Sequence, residues 1–399
     1  MENGQCVGGI DPRRDVSELP ARKRVCWVTT TAFIANSFLR PHLKALAHRY
    51  DTTLLLNVND GYAVDPGIAG VRIQGIRIRR KISLLEDALA LCEIAWRLMR
   101  GRFDAVHTFA PKAGLLGMLG ALLARVPVRI HTFQGELWAT RRGPMRTFLK
   151  SADWLIARLA THVLVVGRGE REFLELEGVL PAGRGKVLGE GSIAGVDANR
   201  FRPDPASRLI GRRKLGVQEQ EVLMLFLGRL VKDKGVLDLV HAFVDVAGDH
   251  PELVLGFVGP DEDAVAAELR AAAGRFAGRL RFAGYTDQPE RYLCASDLVC
   301  LPSYREGFST VILEAGACSV PALASRIYGT ADAVVEGVTG LFHAPGDMRQ
   351  IADGMIRIAA DPALRESMGL AARQYVFEHY RAERVVAAME DFYMRVVAD

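Results

Sequence analysis

Short apolar runs alternate with longer helical patterns along most of the chain. In the first half, the pattern predicts strands over residues 25–29, 52–57, 105–109, 128–133 and 163–166. Between these strands it predicts helices over residues 38–50, 84–99, 113–124 and 147–160. Strands of four to six residues separated by amphipathic helices are typical of a parallel sheet with helical crossovers.

The alternation stops at a polar, proline-bearing stretch over residues 197–205 and then restarts. In the second half it predicts strands over residues 222–227, 253–258, 279–282, 298–301 and 321–324. The helices predicted there cover residues 236–246, 263–273, 288–295 and 310–318, and a last amphipathic helix covers 378–397. Two parallel sheets in one chain predict a cleft at the carboxyl ends of their strands, where ligands bind in this architecture.

Composition agrees with a folded chain of two domains. The 399 residues are 49% hydrophobic and 25% charged. Residues 1–204 carry 30 Lys and Arg against 20 Asp and Glu, a net charge of +10, and the remainder has a net charge of −6. This asymmetry fits either an anionic partner for the first half or an ordinary solvated face.

The hydrophobic segments and the cysteines indicate where the protein is expected to act. The N-terminal residues lack the apolar segment of a signal peptide, and the longest uncharged apolar stretch, 113–124, is too short to span a bilayer. Any membrane contact is therefore expected to be peripheral. The six cysteines form no CxxC pair, which favours reduced thiols over a disulfide or metal framework.

Two segments of the second half have the character of anion-binding loops. In the first, a strand leads through Glu306 and Gly307 into a helix that starts near Ser309, and free N–H groups at a helix start suit a diphosphate. Glu314 lies on an otherwise apolar face of that helix, where it binds either a ribose diol or a nearby arginine. In the second loop, Arg229 and Lys234 either neutralise a diphosphate or are surface charges, as Lys232 is.

The sequences GRLVKDKG and REGFSTVILEAGACSVPALAS resemble the donor-binding signature of the retaining glycosyltransferases of family 4. Residues 104–202 also resemble a bacterial subgroup of this family that builds surface polysaccharides. The resemblance implies the α/β fold called GT-B, in which two Rossmann-like parallel-sheet domains face a central cleft. The implied organisation is a flexible tail (1–20), an acceptor-binding domain (21–202), a nucleotide-sugar-binding domain (203–377) and a helix returning to the first domain (378–399).

The resemblance also implies roles for individual residues. Arg229, Lys234 and Glu306 would be catalytic: the two cations would hold the donor diphosphate, and Glu306 would contact the transferred sugar. Glu314 would hold the ribose, and the base would lie near Gly259 and Tyr285. The remaining donor-binding residues implied are Gly228, Gly307, Phe308, Ser309 and Thr310.

The first domain departs from the family pattern at one position. Many relatives carry a histidine where this chain has Gln134, and a glutamine hydrogen-bonds a sugar but is no general base. Because side chains alternate along a strand, His131 is predicted mainly as a strand residue and less as a ligand contact. Lys112 is predicted to reach an acceptor phosphate.

Two further groups of charged residues lie outside the donor-binding motifs. The triplet 261–263 spells DxD, a metal-binding pattern in other glycosyltransferases, but it follows a strand and precedes a helix, so it is interpreted as a helix start. Two basic stretches of the first domain are predicted to contact a membrane, the alternative being a buried stripe with solvated cations beside it. The residues of this predicted membrane patch are Arg80, Lys81, Trp138, Arg141, Arg142 and Arg146.

The sequence thus predicts a retaining, metal-independent glycosyltransferase without a cofactor. The expected donor is a UDP-sugar, and the expected acceptor is a polyprenyl-diphosphate-linked sugar in exopolysaccharide, O-antigen or capsule synthesis. The expected location is the cytoplasm, at the inner face of the cell membrane, without nucleic acid. The alternatives are a nucleotide-sugar epimerase of the same fold, which needs acid and base groups in the cleft, and a non-catalytic nucleotide-sugar-binding protein.

Overall fold

A seven-stranded parallel sheet forms the first half of the protein. The computed structural model describes residues 22–65, 67, 68, 70–79 and 82–397, so the predicted tail over residues 1–20 lies outside the described residues. The strand order is β3-β2-β1-β4-β5-β6-β7. The strands are β1 (Arg24–Thr31), β2 (Asp51–Asn57), β3 (Arg72–Gly75), β4 (Ala105–Phe109), β5 (Val128–Phe133), β6 (His162–Val165) and β7 (Gly185–Val187).

Helices cover both faces of this sheet, because the chain leaves the central strand β1 toward one edge and returns past it to the other. Helix α1 (Ala32–Ile34) continues through a π-helical turn (Ala35–Leu39) into α2 (Arg40–Leu46), so the helix predicted over 38–50 starts earlier and ends sooner. The other helices of this half are α3 (Leu84–Gly101), α4 (Pro111–Leu123), α5 (Gly143–Leu159) and α6 (Arg168–Leu176). Helix α5 begins four residues before the predicted start at 147, with Pro144 in its first turn, where proline is tolerated.

A second, six-stranded parallel sheet follows, with strand order β10-β9-β8-β11-β12-β13. Its strands are β8 (Val222–Leu227), β9 (Leu253–Val258), β10 (Leu280–Gly284), β11 (Leu298–Leu301), β12 (Ala322–Ser325) and β13 (Gly340–His343). Its helices are α7 (Pro205–Leu215), α8 (Val236–Ala247), α9 (Ala266–Ala273), α10 (Pro289–Ala295), α11 (Thr310–Ala317), α12 (Met348–Ala359) and α13 (Pro362–His379). Strands β8 and β9 are buried almost throughout, as expected for parallel strands covered on both faces.

The chain crosses back to the first domain at Tyr380. The predicted helix over 378–397 is divided here, because α13 ends at His379 and α14 (Ala382–Val396) begins two residues beyond Tyr380. Backbone hydrogen bonds hold the crossing: the Val196 N–H donates to the Tyr380 carbonyl at 2.8 Å and the Ala382 N–H donates to the Val196 carbonyl at 2.9 Å. Beyond it, Met389, Phe392 and Tyr393 of α14 pack into the core of the first sheet.

Within the residues that the structure describes, no helix is both long enough and apolar enough to cross a bilayer.

Candidate functional site

Two loops meet at the carboxyl ends of the neighbouring strands β8 and β11. The Lys234 ammonium lies 2.5 Å from the Glu306 carboxylate, and the Ser303 hydroxyl donates to the same carboxylate oxygen at 2.7 Å. Both charged side chains are largely buried. The close approach depends on Gly235, since a Cβ there would lie 2.1 Å from the Pro302 carbonyl oxygen. A cation and an anion predicted from separate motifs are thus in direct contact.

Further contacts hold the two loops together. The Tyr304 hydroxyl donates to Asp238 at 2.6 Å, and the Tyr304 N–H donates to the Asp233 carbonyl at 2.9 Å. The Arg305 guanidinium lies 3.8 Å from the Asp233 carboxylate. Hydrogen bonds between the loops fix the position of Lys234 relative to Glu306, as a preorganised charge site requires.

Arg229 lies on the same loop as Lys234 but contacts a different carboxylate. Its guanidinium is 2.8 Å from the Glu262 carboxylate, and both side chains are exposed. The neighbouring acids accept backbone hydrogen bonds: Asp261 from Val265 and Ala266 at 2.7 and 3.0 Å, and Asp263 from Lys232 at 3.1 Å. Arg229 would have to exchange Glu262 for a diphosphate in order to bind it.

The predicted base-binding residues follow neighbouring strands. Gly228 follows β8 and Gly259 follows β9, and a Cβ at position 259 would lie 1.9 Å from the Gly228 carbonyl oxygen. The Gly259 N–H donates to the carbonyl of Gly284, the last residue of β10, at 2.7 Å. Tyr285 comes next and is exposed. The strand ends are close enough for Gly228, Gly259 and Tyr285 to form one binding surface.

Helix α11 begins at the first predicted anion-binding loop, which carries Glu306. The Ser309 N–H donates to the Gly329 carbonyl at 3.0 Å, and the Thr310 N–H donates to the Phe308 carbonyl at 3.0 Å. An anion would have to replace these two bonds in order to accept from the predicted amides. Glu314 lies half-buried on the same helix, and burial raises the pKa of its carboxyl to about 7, with Arg200 opposing the shift and Glu290 adding to it.

The two domains meet at a pair of glycines. A Cβ at Gly307 would lie 2.2 Å from the Gln134 carbonyl oxygen, and a Cβ at Gly135 would lie 2.7 Å from the Gly307 Cα. Gln134 follows β5, so the loop after β5 touches the loop that carries Glu306. In the described part of the chain, the Gln134 Nε2 and Ser309 Oγ atoms are buried without a hydrogen-bond partner. Both atoms are shielded from solvent, so the hydroxyl groups of a sugar would reach them only if the side chains around them move.

Two buried acids support the loop after β5. Glu170 accepts hydrogen bonds from the Gly135 N–H at 2.6 Å and the Val166 N–H at 2.9 Å, and burial raises its pKa to about 7. The Glu136 carboxyl is also buried, next to the Tyr328 hydroxyl and the Glu170 carboxyl. Burial, together with the negative charges of Glu170 and Asp153, raises the pKa of Glu136 well above its usual range.

Contacts between the domains extend beyond this loop. The Glu136 N–H donates to the Tyr328 hydroxyl at 3.2 Å, and the Tyr328 ring stacks on Phe173 of α6 at 4.4 Å between centroids. The Gly169 N–H, in the first turn of α6, donates to the Asp332 carboxylate at 2.9 Å. The segment after β12 therefore docks on the first domain and closes the cleft behind the Glu306 loop.

Two residues predicted on the acceptor side have partners within the first domain. His131 is buried in β5, its Nδ1 is 2.7 Å from the Thr108 hydroxyl, and burial lowers its pKa to about 3. The prediction that His131 contacts the sugar is therefore wrong, and the prediction that it is a strand residue is confirmed. The Lys112 ammonium lies 2.7 Å from Asp87 of α3, so an acceptor phosphate would compete with this carboxylate.

The predicted membrane patch is partly wrong. Trp138 is fully buried, its Nε1 donates to Asp153 at 2.7 Å, and it stacks on Phe173, so it cannot reach a bilayer. Arg146 covers the Trp138 ring and pairs with Glu177 at 2.8 Å. Arg141 and Arg142 are exposed, as predicted. The other two patch residues, Arg80 and Lys81, lie outside the described residues.

Comparison with known proteins identifies the family. The family described as glycosyl transferases group 1 matches residues 208–375, and the glycosyl transferase 4-like domain matches residues 37–191. A D-inositol 3-phosphate glycosyltransferase of Kribbella flavida is 30% identical over 353 residues, covering 77% of each chain. This chain belongs to glycosyltransferase family 4. The predicted family is thereby confirmed.

Two further relatives of this glycosyltransferase come from polysaccharide synthesis or act on lipid-linked sugars. The capsular polysaccharide biosynthesis glycosyltransferase CapM of Staphylococcus aureus is 24% identical over 80% of this chain and 83% of its own. The Escherichia coli UDP-Gal:alpha-D-GlcNAc-diphosphoundecaprenol alpha-1,3-galactosyltransferase is 25% identical over 80% of this chain and 82% of its own. The structure of Anabaena HepE in complex with UDP has a TM-score of 0.76 at 19% identity and covers 94% of this chain and all of that one. The predicted GT-B fold is confirmed.

Sequence reasoning missed several residues of this glycosyltransferase's cleft. Ser303 lies three residues before Glu306, and that spacing could have suggested a bond between them. Glu136 and Glu170 gave no local signal, because their buried positions follow from the packing of the loop after β5 on α6. Tyr328 follows a strand end, but only the docking of the two domains brings it to Glu136.

Proposed function

We propose that this enzyme is a retaining glycosyltransferase with a nucleoside-diphosphate sugar as donor, specifically a UDP-sugar. The contact between Lys234 and Glu306, opposite Gln134 and Gly135 across the cleft, carries the proposal. It joins a cation suited to a diphosphate to a carboxylate suited to sugar hydroxyls. The UDP complex of the similarly folded Anabaena protein supports the choice of nucleotide.

In the proposed reaction, an acceptor hydroxyl attacks the anomeric carbon on the face from which the diphosphate leaves. The new glycosidic bond forms as the bond to the diphosphate oxygen breaks, and the hydroxyl proton passes to that departing oxygen. Lys234 and Arg229 stabilise the negative charge that develops on the leaving group. Glu306 accepts from sugar hydroxyls and orients the ring, and Gln134 offers its unpartnered amide from the other domain.

The proposed acceptor is a sugar linked to a polyprenyl diphosphate during assembly of a bacterial exopolysaccharide, O-antigen or capsule. The names of the Escherichia coli and Staphylococcus aureus relatives support it. A cavity of about 290 Å³ opens at the carboxyl ends of β1 and β2 and offers polar groups suited to sugar and phosphate. Its lining includes Thr31, Asn57, Asp60 and Arg79. We place the enzyme peripherally at the inner face of the cell membrane.

A donor panel tests the proposed function. The protein is incubated with UDP-, GDP- and ADP-sugars, with and without short-chain polyprenyl-diphosphate sugars, and released nucleotide and product anomer are measured. The expected result is acceptor-dependent release of UDP with an anomeric configuration that matches the donor. An inverted product refutes the retaining mechanism. An epimerised donor without acceptor indicates the epimerase, and binding without turnover indicates a non-catalytic protein.

We also propose that turnover needs no divalent metal. Lys234 and Arg229 supply positive charge next to the donor loops, and Asp261 and Asp263 accept backbone hydrogen bonds. Turnover should therefore persist in excess chelator. If chelator abolishes it and Mg²⁺ or Mn²⁺ restores it, the assignment of this acidic triplet to a helix start is wrong.

A further inference from the structure

The outer side of α3 is apolar although it faces solvent. Leu85, Leu89, Trp96 and Met99 are 73%, 57%, 55% and 52% exposed. They follow one another at intervals of four, seven and three residues, so they form one stripe along the helix. The opposite side of the helix is the one packed on the sheet, through buried residues such as Ile94. A surface helix needs only one apolar stripe for its core, so the outer stripe serves another contact.

The neighbouring helices extend this stripe into a surface. Helix α4 packs between α3 and α5 and ends in two exposed leucines, Leu122 and Leu123. Along α5, Met145, Phe148 and Trp154 are exposed. We call these side chains of α3, α4 and α5 together the α3–α5 surface. It lies on one face of the first sheet and is far richer in large apolar groups than the scattered exposed leucines of the second domain.

Cations accompany the apolar groups of the α3–α5 surface. The Arg100 guanidinium lies 5.6 Å from the centre of the Trp96 ring, and that of Arg158 lies 4.9 Å from the Trp154 ring. Exposed arginines also flank the helix ends, at positions 102, 125, 141 and 142. Helix α4 contains no acid, the acid of α5, Asp153, is buried, and the acids of α3 pair with cations: Glu86 with Arg79, Asp87 with Lys112 and Glu93 with Arg97. Aromatic rings beside arginines are typical of a contact with a polar–apolar boundary.

We propose that the α3–α5 surface lies against an anionic phospholipid bilayer. Its apolar side chains would insert between the headgroups and its arginines would bind lipid phosphates. A second copy of the chain fits less well, because a two-fold contact would place these arginines against one another. The proposal rests on the proposed function only in its expectation of a membrane-borne acceptor.

This orientation places the acceptor cavity beside the bilayer. Exposed Ile82 and Leu84 lie at the start of α3, a few residues after Arg79, which lines the cavity at the ends of β1 and β2. A diphosphate carried by a lipid would therefore reach Arg79 over the start of α3, without leaving the membrane surface.

Co-sedimentation with vesicles tests the surface directly. We compare the wild type, the variant Leu89→Gln/Trp96→Gln/Phe148→Gln and a control, Leu209→Gln/Leu370→Gln, which changes equally exposed leucines of the second domain. With vesicles of phosphatidylcholine and phosphatidylglycerol, the triple variant should bind at least roughly tenfold more weakly than the wild type, because three inserted apolar groups are lost. The control should bind like the wild type.

Brominated lipids locate the contact. They should quench wild-type fluorescence, and Trp96→Phe/Trp154→Phe should abolish the quenching, since Trp27 and Trp138 are buried. Equal binding by wild type and triple variant, or persistent quenching in the double variant, overturns the proposal. The proposal is also overturned if, without lipid, the wild type sediments as a dimer and the triple variant sediments as a monomer. If vesicle binding follows the expectation but no polyprenyl-linked acceptor is glycosylated, the proposed acceptor is wrong, whereas the assignment of the α3–α5 surface to membrane binding is retained.

Discussion

Replacing Glu136 with glutamine should stabilise the protein, and increasingly so as the pH rises. Glu136 is buried, and burial together with the neighbouring Glu170 and Asp153 raises its pKa well above the usual 4.5. The folded protein therefore keeps the proton on this carboxyl to a higher pH than the unfolded chain does. In the unfolded chain it ionises once the pH exceeds its usual pKa.

Proton linkage sets the magnitude. Above about pH 5 the folded protein binds one more proton at Glu136 than the unfolded chain does, so the free energy of unfolding falls as the pH rises. One proton corresponds to about 1.4 kcal/mol per pH unit, and this loss continues until the pH reaches the raised pKa of Glu136. Glu136→Gln removes this loss. Glu170, whose pKa is raised to about 7, adds a similar loss up to that pH in both proteins.

Urea unfolding followed by tryptophan fluorescence measures the effect. The four tryptophans, at positions 27, 96, 138 and 154, all lie in the first domain, and so does Glu136. The difference in unfolding free energy between Glu136→Gln and wild type should grow by about 1.4 kcal/mol for each pH unit above pH 5, until the pH reaches the raised pKa of Glu136. Glu172→Gln, an exposed change on α6, should show no such growth. A pH-independent difference for Glu136→Gln would refute the assignment of a protonated carboxyl.

Three further changes test the cleft. Lys234→Ala should lower turnover by about 10²–10³-fold, because it removes a cation from the leaving diphosphate. The control Lys232→Ala, beside Glu268 on the surface, should leave turnover unchanged. Equal losses in the two variants would exclude a specific role for Lys234. Gly307→Ala should lower kcat/KM by on the order of 10²-fold, because its methyl group would clash with the Gln134 carbonyl and hold the domains apart, and calorimetry should show that UDP binding is weakened much less than kcat/KM. Since the pKa of Glu314 is about 7 and its ionised form would accept from ribose hydroxyls, UDP affinity should rise from pH 6 to pH 8 in the wild type but not in Glu314→Gln. A flat wild-type profile would place Glu314 outside the nucleotide site.

The sequence predicted the buried strands well and the edge strands poorly. The predicted strands over 105–109, 128–133, 222–227, 253–258 and 298–301 have the bounds that the structure gives. Of the four edge strands, β3, β7 and β13 have three or four residues each and were not predicted, whereas the five-residue β10 was predicted over 279–282. A central parallel strand is a continuous apolar run, whereas a short edge strand has too few buried positions to give a pattern.

The chemistry of the donor loops was also visible in the sequence. Lys234 and Glu306 were selected from residue types at strand ends, and the structure brings them to 2.5 Å. Trp138 shows the opposite outcome. Its aromatic ring among arginines suggested a membrane contact, but Arg146 and Lys150 cover the ring and Glu177 pairs with both. A tryptophan among arginines has the same local sequence whether its ring is buried beneath the cations or exposed to a membrane, so the sequence cannot distinguish the two arrangements.

The sequence alone determined the two parallel sheets, the loops that carry charge at their strand ends, and the family. These follow from local periodicity and from motifs a few residues long. Only the tertiary structure decided that Gln134 meets Gly307, that Glu136 contacts Tyr328 from 192 residues away, and that one side of α3 remains apolar and exposed. Hydrophobic spacing specifies which positions of a helix or strand are apolar, but which surfaces become covered depends on how the two domains dock.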